Sequence, residues 1–174
     1  MAQKLADNIV LIGFMGVGKG RTARELAKRT GYFAVDTDDM IESMVKKKIK
    51  KIFAEKGESH FRELEKRAAD WLEKNVSGTI VSTGGGFFMV NNIHRLGSVI
   101  YLHASVENII STIHKHPKAG KKIKKRPLLQ NLDAAKALYD KRLPLYRQAA
   151  HHEVLVEGKE IAGVADEIIR ITGL

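Results

Sequence analysis

Residues 13–20 read GFMGVGKG, the spacing GxxxxGK, directly after an apolar run at 8–12. That junction constrains the chain more than any other stretch, because the motif works only where a strand turns through glycines into a helix N-terminus. Gly13, Gly16 and Gly18 let backbone N–H groups close around an anion in conformations that a side chain forbids, and Lys19 reaches the outer phosphates of a nucleotide. The amphipathic run 21–29 continues as a helix that Gly31 can cap. The motif normally closes on Ser or Thr, whose hydroxyl binds Mg²⁺, but here Gly20 stands in that place and Arg21 follows. Gly13, Gly16, Val17, Gly18, Lys19, Gly20 and Arg21 therefore specify a nucleotide-phosphate loop that lacks one customary metal ligand. The plainer alternative is a glycine turn between strand and helix with Lys19 in solvent.

Further strand signals fall at 33–35, 79–82, 99–102 and 153–156, with helical periodicity between them. This alternation predicts an α/β domain: three layers, doubly wound around a five-stranded parallel sheet. Helices are expected at 58–74, 133–139 and 161–171. In the first, Phe61, Leu64, Ala68 and Leu72 recur on one face. With 174 residues and 44% hydrophobic content, a single domain spanning 1–174 with a real core is expected. No stretch has the apolar length of a membrane span or a secretory signal, so a cytoplasmic location is expected. The absence of Cys excludes disulfides, thiolate metal sites and a Cys nucleophile. The net charge of +10 suits either nucleic acid or small anionic substrates, and charge alone does not separate them. Residues 114–126, dense in Lys with Pro117 and Gly120, read as a mobile surface loop.

In such folds ligands bind at the C-terminal ends of the strands. The second predicted strand ends in Asp36-Thr37-Asp38, where strand alternation would send both carboxylates to one side. The third ends in Ser82-Thr83-Gly84-Gly85-Gly86, whose glycines permit close approach of a substrate to the backbone. Arg62 in FRELE, Arg126 in KRPLL and Arg142 in KRLPLYR complete the set. Each has an ordinary alternative. Asp36 could be a strand-end carboxylate, Asp38 an N-cap for a helix starting near Met40, and Arg62 a solvated residue paired with Glu58. The lysine runs at 46–51 and 121–125 read as solvated faces. The histidines at 114, 116, 151 and 152 lack carboxylate partners for a metal site, and Trp71 and Phe61 sit at core spacing.

Taken in order, GFMGVGKG, the DTD pair, GESHFRELE, STGGG, KRPLL and KRLPLYR resemble shikimate kinase, a member of the nucleoside monophosphate kinase-like P-loop enzymes. The likeness runs from about 8 to 156. It implies an ATP-dependent kinase that phosphorylates the 3-hydroxyl of shikimate, on the route to chorismate and the aromatic amino acids. By that resemblance Asp36 supports Mg²⁺ and Asp38 grips the shikimate hydroxyls and can accept a proton. Arg62, Arg142 and Gly84, Gly85 and Gly86 hold the acceptor, the two arginines clamping its carboxylate. Lys19 and Arg126, the latter in a lid at 114–127, meet the transferred phosphate. A planar guanidinium matches a carboxylate bidentately, which agrees with a small, singly anionic acceptor.

Two departures bear on this expectation. Without a hydroxyl at Gly20 the metal relies on phosphate oxygens, Asp36 and water, so weaker metal binding is expected rather than its loss. The family often stacks an Arg on adenine after the fourth strand, whereas this chain has Ser111 and Thr112 there, leaving the segment 157–160 as a substitute. The expected partner is shikimate, with no membrane or nucleic acid, and the expected state is a monomer. The rival readings are a gluconate or nucleotide kinase on the same scaffold, and a degenerate, non-catalytic member that binds nucleic acid.

Overall fold

The computed structural model describes residues 7–124 and 126–174. Five strands, β1 (Ile9–Ile12), β2 (Phe33–Asp36), β3 (Thr79–Ser82), β4 (Ser98–His103) and β5 (His152–Leu155), form a parallel sheet in the order β2-β3-β1-β4-β5. The helices are α1 (Lys19–Thr30), α2 (Thr37–Val45), α3 (Ile49–Asn75), α4 (Val106–His114), α5 (Ala119–Lys124), α6 (Leu132–Ala149) and α7 (Ile161–Thr172).

Strand alternation divides the core in two. Ile9 and Leu11 point to one face, where Ile80, Ile100, Leu102 and Val154 join them. Ala23 and Leu26 of α1 and Val164, Ala165 and Ile168 of α7 cover that side. Val10 and Ile12 point to the other face, packed with Val81, Val99 and Tyr101 against Phe61, Leu64 and Leu72 of α3 and Tyr146 of α6. Neighbours sit on both sides of β1, so the loop leaving its C-terminal end opens into the crevice where connections diverge. Among the described residues no helix is long and apolar enough to cross a membrane.

The structure refines several expectations. The four expected helices are present, and Phe61, Leu64, Ala68 and Leu72 are all buried. Helix α3 begins earlier than 58, breaking at Gly57, whose backbone stands at φ 77° and ψ 176°. Helix α6 extends to Ala149 through Pro144. Residues 114–126 are not all loop, because α5 occupies six of them. Trp71 is 52% exposed rather than core, lying on the outer side of α3. Helix α2 starts at Thr37, so Asp38 belongs to a helix and not to the strand.

Candidate active site

The glycine loop after β1 has the backbone its sequence demands. Gly13, Gly16 and Gly18 all have positive φ, and Gly18 caps α1 in the left-handed conformation. A Cβ at Gly13 would lie 2.6 Å from the Leu102 carbonyl oxygen, so space as well as conformation excludes a side chain there. Lys19 is almost fully buried and donates to the carbonyls of Gly13 at 2.7 Å and Phe14 at 3.0 Å. The remaining one of its three N–H groups is left for an anion. Burial lowers its pKa to about 8, while the carboxylates of Asp38 and Asp36 oppose that shift.

This loop forms one wall of a cleft of about 820 Å³. Asp36, Asp38 and Ser82 through Gly85 line its floor, and Arg21, Arg24, Lys122 and Arg126 line the far side. Arg126 is partly buried, donates to the Lys122 carbonyl at 3.1 Å, and has its pKa lowered by that burial. Lys122 thus belongs to the cleft and not only to a solvated face. Near the other end Asn108, Thr112, Gly158, Lys159 and Glu160 border the cavity, which places most of the 157–160 segment beside the Thr112 position.

Asp36 and Asp38 do converge, but by a different route from strand alternation. Asp36 is the N-cap of α2, its Oδ1 accepting from the backbone N–H groups of Asp38 at 2.9 Å and Asp39 at 3.3 Å. Its Oδ2 accepts from Ser82 Oγ at 2.8 Å. The cap is therefore Asp36, two residues earlier than the sequence alternative placed it. Asp38 turns inward from the first turn of α2, and its carboxyl is pushed up to about 6, chiefly by burial, with Asp36 and Glu65 adding like charge against Lys19.

A second set of residues adjoins the floor. Arg62 donates to Glu58 Oε1 at 2.8 Å and to Glu65 Oε2 at 2.6 Å. Its guanidinium lies so close to Gly86 that a Cβ there would be 2.3 Å from Nη1. Arg142 Nη1 and Tyr146 Oη, one helical turn apart on α6, both donate to the Gly85 carbonyl, at 3.2 and 2.5 Å. Gly84 is fixed by its N–H to Thr37 Oγ1 at 3.1 Å, and a Cβ on it would fall 2.7 Å from Asp38 Oδ1 and 3.3 Å from Glu65 Oε1. Those two carboxylate oxygens are buried and have no hydrogen-bond donor. Burial also raises the Glu65 carboxyl against the pull of Arg62.

Every residue expected from the sequence thus lies in or beside one crevice, although Gly13 sits at the base of the loop against the Leu102 carbonyl, and Arg62, Gly86 and Arg142 border the floor rather than line the main cleft. Sequence reasoning missed Glu65, Tyr146 and Ser82. Glu65 carried a signal, since it is a charged residue within the apolar stripe of 61, 64, 68, 69 and 72, all buried.

For a divalent cation the Asp36 carboxylate and the Ser82 hydroxyl, which lies beside Gly20, offer hard oxygens in the cleft. Among the described residues no group of three or more His, Asp or Glu gathers as a cage. This donor set fits Mg²⁺ shared with nucleotide phosphates and water, a cation that needs only one or two protein oxygens.

Comparison with known proteins agrees with this geometry. A family model described as shikimate kinase matches residues 15–172. A shikimate kinase of Persephonella marina is 39% identical over 169 residues, covering 93% of this chain and 96% of its own. One of Helicobacter hepaticus is 38% identical over 146 residues, 84% of each chain. The solved structure of shikimate kinase from Acinetobacter baumannii in complex with shikimate superposes with a TM-score of 0.82 at 30% identity, covering 95% of this chain and 92% of that one. The loop after β1, the capped aspartate pair, the glycine floor and the matched length lead to one assignment: the chain belongs to the shikimate kinase family.

Proposed function

We propose that this protein transfers the γ-phosphoryl group of ATP to the 3-hydroxyl of shikimate, giving shikimate 3-phosphate and ADP. The observation that carries this reading is the pair of donorless carboxylate oxygens, Asp38 Oδ1 and Glu65 Oε1, converging over Gly84 beside Arg62. Buried acceptors without donors are costly, and a ligand with adjacent hydroxyls satisfies both. The neighbouring guanidiniums of Arg62 and Arg142 match a carboxylate on the same ligand. A polyhydroxylated carboxylic acid such as shikimate combines the two features.

In this reading the phosphates of ATP lie along the glycine loop, with Lys19 at the outer end and the nucleoside toward Asn108, Thr112 and residues 157–160. Asp38 holds the attacking hydroxyl. As the new O–P bond forms and the bond from the γ-phosphorus to the bridging oxygen breaks, ADP leaves and the hydroxyl proton passes to Asp38. A carboxyl held near 6 is ionised at neutral pH yet basic enough to take that proton. Lys19 and Arg126 stand where charge develops on the transferred group. Mg²⁺, held by Asp36 together with the phosphates, supplies further neutralising charge when bound. Glu65 positions Arg62 through the 2.6 Å bond. The segment 114–127 acts as a lid that excludes water as a competing acceptor. The chain works as one kinase domain and as a monomer in the cytoplasm.

The acceptor side is tested by calorimetry with shikimate in the presence of a non-reacting ATP analogue. Arg62→Lys and Arg142→Lys keep the charge and lose the fork, so each weakens shikimate binding by about 1.5–3 kcal/mol per lost charged hydrogen bond while leaving nucleotide affinity intact. Shikimate affinity equal to that of the parent in both variants would refute this placement.

A further inference from the structure

Gly20 removes the hydroxyl that a phosphate loop normally offers to the metal, and the surrounding structure shows what stands in its place. A Cβ built on Gly20 points toward Ser82 Oγ at 3.9 Å, with Arg24 Nη1 at 3.5 Å. A hydroxyl on that Cβ would therefore project into the space next to the Ser82 hydroxyl. Thr22, two residues on, is buried and lies elsewhere on α1. The other hydroxyls at these strand ends are engaged with backbone: Thr83 Oγ1 donates to the Leu11 carbonyl at 2.8 Å, and Thr37 Oγ1 accepts from Gly84 N–H at 3.1 Å.

Ser82 differs from both. It is 3% exposed, borders the cleft at the end of β3, and donates its proton to Asp36 Oδ2 at 2.8 Å. Asp36 is itself locked, because two backbone N–H groups of α2 hold its other oxygen. A serine hydroxyl whose proton is taken by a fixed carboxylate keeps its two lone pairs for another partner. A carboxylate that orients a ligating group through that group's proton is the usual outer support of a metal site.

We propose that the Ser82 hydroxyl replaces the one missing at position 20, so that the cation accompanying the nucleotide is held from β3 by the Ser82–Asp36 pair rather than from α1. This rests on the nucleotide reading of the cleft. It also accounts for how the loop tolerates glycine at 20: the oxygen donor has moved from the helix to the adjoining strand end, and the carboxylate that supports the metal now also orients that donor.

The test uses Mn²⁺ as the probe and ADP as the nucleotide, following free Mn²⁺ by electron paramagnetic resonance. Ser82→Ala is expected to raise the Mn²⁺ dissociation constant of the protein–ADP complex on the order of tenfold or more. ADP affinity measured in EDTA stays at the parent value, which also shows that the variant is folded. Gly20→Ser restores Mn²⁺ affinity in the Ser82→Ala background and changes it far less in the parent. Ser82→Cys shifts preference from Mg²⁺ toward Cd²⁺, a change of softness that only a residue touching the metal produces. Parent-like Mn²⁺ affinity in Ser82→Ala, the same gain from Gly20→Ser in both backgrounds, or unchanged metal preference in Ser82→Cys would overturn the proposal. Failure of the parent to bind ADP in EDTA would instead remove the nucleotide reading beneath it.

Discussion

Asp38 is a carboxyl held in a place that costs the fold stability, as a proposed proton acceptor would be. Burial, then the carboxylates of Asp36 and Glu65, raise its pKa from 3.8 to about 6 in the free protein, with Lys19 pulling the other way. Between those two values the native chain binds more protons than the unfolded one, so stability falls as pH rises through that window and stays lower above it. Asp38→Asn removes the charged form and is expected to stabilise the free protein at pH 7 by roughly 2 kcal/mol after allowance for solvent. That corresponds to a thermal midpoint about 4–8 °C higher for a domain of this size. The advantage should shrink toward zero by about pH 4, while turnover is lost at every pH. For the parent, kcat/KM should fall as pH drops below about 6, where the free enzyme's base becomes protonated. Melting curves across that range decide the matter, and an advantage that grows at low pH would contradict the assignment.

At the scale of elements, the segment between α4 and α6 is the least anchored part of the crevice wall. Helix α5 buries no residue and presents Lys121, Lys122 and Lys124, while Arg126 is tied back to the same helix through the Lys122 carbonyl. Limited trypsin digestion of the free protein should therefore cut first within 114–126, and an ATP analogue with shikimate should slow that cut severalfold. Equal cleavage with and without ligands would reduce the segment to a solvated insertion. The same scale shows what the sequence could and could not reveal. The strand–loop–helix at 8–30 was legible because glycine spacing, apolar run and amphipathic period all agree there. Helix α6 was legible only as far as Tyr139, because Pro144 reads as a breaker, yet the helix continues and brings Arg142 and Tyr146 onto one carbonyl. The convergence of Asp36 and Asp38 was foreseen for the wrong reason, since an N-cap replaced strand alternation. Ser82 gave no signal at all: its meaning depends on a neighbour 46 residues away.

Across the whole molecule the excess of positive charge acquires a location. Lys19, Arg21, Arg24, Lys115, Lys122, Arg126 and Lys159 surround the cleft, against Asp36, Asp38 and Glu160. That arrangement suits a polyphosphate held beside two carboxylates, and a field of this kind also steers anions toward the opening. A surface for nucleic acid would instead spread its cations along an extended face, and binding there would weaken steeply with salt. The central claim is that this crevice joins ATP to a hydroxylated carboxylic acid. It is tested most directly by coupled ADP release with Mg²⁺ and ATP over a panel of shikimate, gluconate and nucleoside monophosphates. The account predicts acceptor-dependent turnover with shikimate and little with the others. Turnover with another acceptor and none with shikimate would contradict it, as would tight, strongly salt-dependent binding of RNA or DNA with no turnover.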